Sequence, residues 1–132
     1  MPTGLTKDAG WQLGVRRTVP VPSDVVWDYL TREGLVVWLG ETVLGATGEW
    51  YETADGTRGQ LRSRSEGVRL RLTWQPTGWA HDSTLQLTLQ RAVSGTTIAI
   101  HQERLRSAQD RASLLIHWRA VLGRIVEQLA VR

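Results

Sequence analysis

Apolar residues in this chain recur at two spacings, and the spacing changes at a proline-rich break near residue 20 and again near residue 108. Trp11, Leu13 and Val15 alternate with polar neighbours, and Arg17 continues the phase, which predicts a strand over 11–19. Pro20 and Pro22 end it, because each removes a backbone donor and restricts the residue before it. Ser23 is the expected N-cap of a helix over 23–33, with Asp24 in the first turn, where the helix dipole favours negative charge. Val26, Trp27 and Leu30 fall on one side of that helix, and Asp24, Asp28 and Arg32 on another. Gly34 suits its C-terminus, and residues 35–39 resume as a second short apolar helix carrying Trp38.

Period two then dominates. A strand is expected over 43–52 with Trp50 near its end, followed by a turn at Ala54-Asp55-Gly56-Thr57. Leu61, Ser63 and Ser65 alternate with Arg62, Arg64 and Glu66; Gly67 turns the chain; Val68, Leu70, Leu72 and Trp74 alternate with Arg69, Arg71 and Thr73. That is the pattern of an antiparallel hairpin with one wet face. Leu85, Leu87 and Leu89 form a further strand, and residues 96–103 the last, with Ile98, Ile100 and Gln102 on one face. From 108 to 131 the period becomes helical: Leu115, Trp118, Leu122, Ile125, Val126 and Leu129 make one stripe. Such a helix is roughly 35 Å long, enough to lie across a sheet. The expected class is α+β: a curved antiparallel sheet of about six strands wrapped around a long C-terminal helix, with two short helices after the first strand. Residues 1–10 read as a flexible N-terminal arm and 11–132 as a single domain.

Composition narrows the chemistry. The absence of cysteine excludes disulfides, thiolate metal sites and cysteine nucleophiles, and fits a reducing, cytoplasmic setting. The first ten residues hold no apolar run of a signal peptide, and no window approaches the ~20 apolar residues that span a bilayer. Net charge is +3, and Lys7 is the sole lysine among 16 basic residues. Seven tryptophans and no phenylalanine make indole the main aromatic bulk, and a buried indole N–H needs an acceptor.

Four motifs in order carry a family resemblance. Pro22 with Val26-Trp27, Leu30-Thr31 and Trp38-Leu39-Gly40 comes first; Leu72-Thr73-Trp74-Gln75-Pro76 second; Gly95-Thr96 with Ile98, Ile100, Glu103 and Leu105 third; Trp118 with Leu122 and Leu129 fourth. Over about 11–131 the chain resembles the helix-grip (START-related, birch-pollen-allergen-like) superfamily, and within it the proteins related to the activator of the ninety-kilodalton heat-shock chaperone ATPase. Gln102 stands where many such proteins have histidine, Arg104 where many have glycine, and His117 where glycine commonly precedes the helix tryptophan. The resemblance implies a cavity between sheet and helix, in a superfamily that hosts ligand carriers, cyclases and chaperone regulators alike.

The candidate binding residues follow from that cavity. Ser63, Ser65 and Gln102 are polar positions on an apolar inner face, with hydrogen-bonding capacity for a ligand or for each other. Trp27, Trp38, Trp50, Trp74, Trp118 and Leu122 are its expected walls. The leading reading is binding of a small hydrophobic or amphipathic molecule, by a monomer or homodimer, with no cofactor and no metal. His81, His101 and His117 sit at no metal-binding spacing, and no activated-serine or phosphate-loop motif is present. An enzyme of this fold would draw its acid or base from His117, His81 or Glu103. A protein-binding module would use an outer row of Arg58, Arg62, Arg64, Arg69 and Arg71; without interleaved aromatics, that row does not read as a nucleic-acid face.

Overall fold

The computed structural model describes residues 3–6 and 10–131. Seven antiparallel strands form one sheet: β1 (Leu5–Thr6), β2 (Gly10–Val19), β3 (Trp50–Glu52), β4 (Arg58–Ser65), β5 (Arg69–Trp74), β6 (Ser83–Ala92) and β7 (Gly95–Leu105). Their order across the sheet is β1-β2-β7-β6-β5-β4-β3. Helices α1 (Ser23–Thr31) and α2 (Leu35–Trp38) follow β2, and α3 (Ala108–Ala130) closes the chain. Within the expected N-terminal arm, Leu5 and Thr6 pair with Trp11 and Gly10, while residues 1, 2 and 7–9 of that arm lie outside the described residues.

The core lies between the sheet and the helices. Leu13 and Val19 of β2, Leu70 and Leu72 of β5, Leu85, Leu87 and Leu89 of β6, and Ile98 and Ile100 of β7 meet Trp118, Val121, Leu122, Ile125 and Leu129 of α3 in one buried cluster. α3 packs along β2 and β7, and α1 reaches β6 and β7. Ser107 caps α3 by accepting the Asp110 amide at 3.1 Å, satisfying a donor that the first turn leaves open.

Several local expectations are corrected. Ser23 is the first residue of α1, and Pro22, which has no side-chain acceptor, holds the cap position. Gly34 holds the cap position before α2, and its value is space: a Cβ there would run into the Tyr29 ring. The strand expected over 43–52 shrinks to Trp50–Glu52, and 41–49 runs as irregular chain with a turn at 47–48.

The largest correction concerns the β4–β5 hairpin. Its loop is Glu66-Gly67-Val68, with Gly67 at φ 76 and the Val68 amide donating to Ser65 O at 2.9 Å. Ser65 therefore faces Arg69, and Val68 sits exposed in the loop. A loop of odd length shifts the pairing by one, which turns every side chain to the opposite face. Arg62 absorbs the shift as an extra residue, so Leu61 still pairs with Leu72 while Ser63 pairs with Arg71 and Arg64 with Leu70. Ser63 and Ser65 thus share the outer face with Arg71 and Arg69. Arg64 takes the inner register, at the rim, beside Trp27 and Glu66.

Candidate functional site

In the interior where a ligand was expected, polar side chains hydrogen-bond one another. The Trp118 indole N–H donates to Gln102 Oε1 at 2.8 Å, Gln102 Nε2 donates to Ser83 Oγ at 3.0 Å, and Ser83 Oγ donates to Trp74 O at 2.8 Å. Trp118, Gln102 and Ser83 are each fully buried. This relay runs from helix to sheet and satisfies every polar atom in it, and among the described residues no buried side-chain polar atom lacks a partner. Gln102 does point inward as expected, but its capacity is used by the protein itself.

The tryptophans divide. Trp38 is buried with its N–H on Leu30 O at 2.8 Å. Trp74 and Trp118 lie 5.9 Å apart, with Trp79 edge-on to Trp74 at 5.6 Å and Arg106 stacked 4.3 Å over Trp79. These are core and rim packing. Trp27 is buried, but its edge lines a surface cleft and its N–H donates to Glu66 at 3.0 Å. That bond and the stronger one from Arg64 hold the Glu66 carboxyl below its usual range. Trp50 is 69% exposed and forms no wall.

The candidate acids and bases do not converge. His81 bonds the Asp82 carbonyl in a loop, and His101 lies on the opposite side of β7 from Gln102, bonded to Gln12. Glu103 is paired with Arg71 at 2.9 Å. His117 sits edge-on to Trp118, 4.6 Å between ring centroids; partial burial, with a smaller contribution from Arg124, pushes its pKa down. Among the described residues no group of three or more His, Asp or Glu side chains gathers as a metal site. No helix there is long and apolar enough to cross a membrane.

Besides the Trp27 cleft and openings beside Trp79 and Arg91, two grooves follow the seam between β2 and α3. One groove, of about 450 Å³, is lined by Val19, Pro20, Val21, Pro22, Val25, Val126, Leu129 and Ala130. A second, of about 440 Å³, is lined by Gly14, Val15, Arg16, Arg17, Arg119 and Leu122. They lie in line, because β2 runs from Gly14 to Val19 beside the helix as it runs from Arg119 to Leu129. Of the expected site residues only Leu122 borders this seam. Sequence reasoning missed Arg17 and Arg119; the usable signal was Arg17 itself, an arginine in phase with Leu13, Val15 and Val19.

This architecture is the helix-grip fold. No protein-family model matches the chain, and no curated protein matches it in sequence. Solved structures do share the fold. DynU16, a protein of the dynemicin biosynthetic locus, superposes with TM-score 0.80 at 23% identity over 90% of this chain. MLL2253 from Mesorhizobium loti gives 0.78 at 18% identity, covering 90% of this chain and 96% of its own. CalU16 from Micromonospora echinospora gives 0.79 at 20% identity, covering 89% and 73%. The chain spans 47% of DynU16, about half its length.

Proposed function

We propose that this chain binds a small amphipathic molecule along the open seam between β2 and α3, not inside the sheet–helix interior. The observation that carries the reading is the apolar groove of Val19, Val21, Pro22, Val25, Val126 and Leu129, about 450 Å³ beside an interior whose polar groups Gln102, Ser83 and Trp118 already bond one another. That volume falls within the usual size of small-molecule sites. Binding suits this seam better than catalysis, since neither groove is lined by a histidine or a carboxylate. Kinship with the proteins related to the chaperone ATPase activator is supported by the order of the Trp27, Trp74 and Trp118 motifs along the fold.

The test is an amide-resolved NMR titration with two ten-carbon amphiphiles, decanol and decanoate, kept below their aggregation limits. The expected result is saturable shifts at Val19, Val21, Val126 and Leu129. Ala130→Trp, an exposed position on the rim, fills the groove and removes those shifts while the rest of the spectrum persists. If neither amphiphile moves the seam resonances, the reading is wrong.

A further inference from the structure

We infer that the seam selects an anionic amphiphile, its carboxylate gripped by Arg17 and Arg119 and its apolar body lying toward Leu129. This deepens the seam reading and rests on it. Arg17 pairs with Ile98, so it occupies an inward register position on β2 between Val15 and Val19. An arginine there runs its methylenes along apolar surface and carries its charge to the nearest opening. That opening is the groove it shares with Arg16 and Arg119.

Five arginines elsewhere are neutralised, while Arg58, Arg62, Arg69, Arg91, Arg111 and Arg124 hold no carboxylate among the described residues, so what marks the seam is that its unneutralised arginines line one groove. Arg32, Arg64, Arg71, Arg104 and Arg106 each hold a carboxylate, at Asp28, Glu66, Glu103, Asp82 and Asp110. Among the described residues, Arg16, Arg17 and Arg119 hold none, and no acidic side chain lines either seam groove. Three like charges gathered without a counter-charge are mutually unfavourable, and an anion between them relieves this. The guanidinium fork matches a carboxylate in two parallel bonds, so charge and shape agree.

The groove is also polarised along its length. Arg17 and Val19 are successive inward positions, and Arg119, Leu122, Val126 and Leu129 follow on one side of α3, so the basic end passes directly into the apolar end. From Arg119 to Leu129 the helix advances about 15 Å. A second copy of the chain fits worse. Among the described residues the outer edge of β2 has no strand partner beyond Gln12, whose amide donates to Gly4 O, but antiparallel pairing of two such edges centred on Arg16 and Arg17 would set these residues against their own equivalents.

The experiment compares decanoate, decanol and decyltrimethylammonium in the same titration. Decanoate should bind the seam at least about tenfold more tightly than decanol, equivalent to about 1.4 kcal/mol, and the cation should bind more weakly than either. The double variant Arg17→Gln/Arg119→Gln should bring decanoate down to the affinity of decanol and leave decanol unchanged. Arg62→Gln/Arg69→Gln, on the outer face, removes the same net charge and should keep the preference. Arg119→Gln alone, at an exposed helix position, gives the same readout if the double variant does not fold. Equal binding of decanoate and decanol at the seam overturns the anion preference and leaves the binding reading standing. So does an equal loss in the outer-face variant. Absence of seam shifts with every probe overturns both.

Discussion

Gln102 is the residue on which the interior turns. It stands fully buried between the Trp118 indole and Ser83, accepting from one and donating to the other. Gln102→Leu keeps the volume but strands the indole N–H in an apolar core, so urea unfolding should show a loss of about 2 kcal/mol. Binding at the seam should be unaffected. The inward aim of Gln102 was legible from its phase with Ile98 and Ile100. Its partners were not, because a hydrogen bond between residues 16 or 19 positions apart leaves no periodic trace. His117 is a second residue with a measurable signature. Burial favours its neutral form, so the unfolded chain takes up the proton first as pH falls. The contribution is whole above the unfolded value of about 6.5 and is lost as pH drops through the lower folded value. The melting temperature should therefore fall more between about pH 7.5 and 5 for the native chain than for His117→Gln, with parallel curves ruling this out.

At the level of elements, the passage from β7 to α3 holds the one non-glycine residue at positive φ among the described residues. Arg104 sits at φ 64, in the left-handed region, at a bulge where β7 has one residue more than β2 between Trp11 and Leu13. Glycine is free of strain there, whereas arginine gains a 2.7 Å pair with Asp82 near the surface. Arg104→Gly should hold stability to within about 1 kcal/mol, while Arg104→Val, branched at Cβ, should cost about 2 kcal/mol in the same denaturant series. Ser107→Ala removes the cap of α3 and should cost about 1 kcal/mol in thermal unfolding. Element type was readable nearly throughout, because β6, α3 and β7 as far as Gln102 each keep one period. The β4–β5 hairpin was not: a three-residue loop and a bulge cancel in length but not in facing, and alternation alone cannot reveal either.

For the whole molecule, the helix-grip arrangement follows from one long amphipathic helix and one sheet that must share an apolar face. What could not be read is whether that shared face is hollow. A hollow and a filled interior have the same periodicity and differ only in how side chains interlock, as Trp74, Trp118 and Gln102 do. Charge shows the same limit: five arginines expected as an outer row are four, with Arg64 on the rim, and Arg17, in an inward register position near the opposite edge of the sheet, was not among them. The Arg62 bulge has a further consequence for how this fold drifts. Facing in β4 is a matter of odd or even count, so where a residue is gained or lost decides whether orientation changes with length. Loss of Arg62 leaves both flanks in their present pairing and merely straightens the strand. One residue gained between Ser63 and Ser65 would instead swing Leu61 away from Leu72 and open the inner wall. Relatives of different hairpin length would then differ in whether they enclose space at all, with no change in the identity of any core residue.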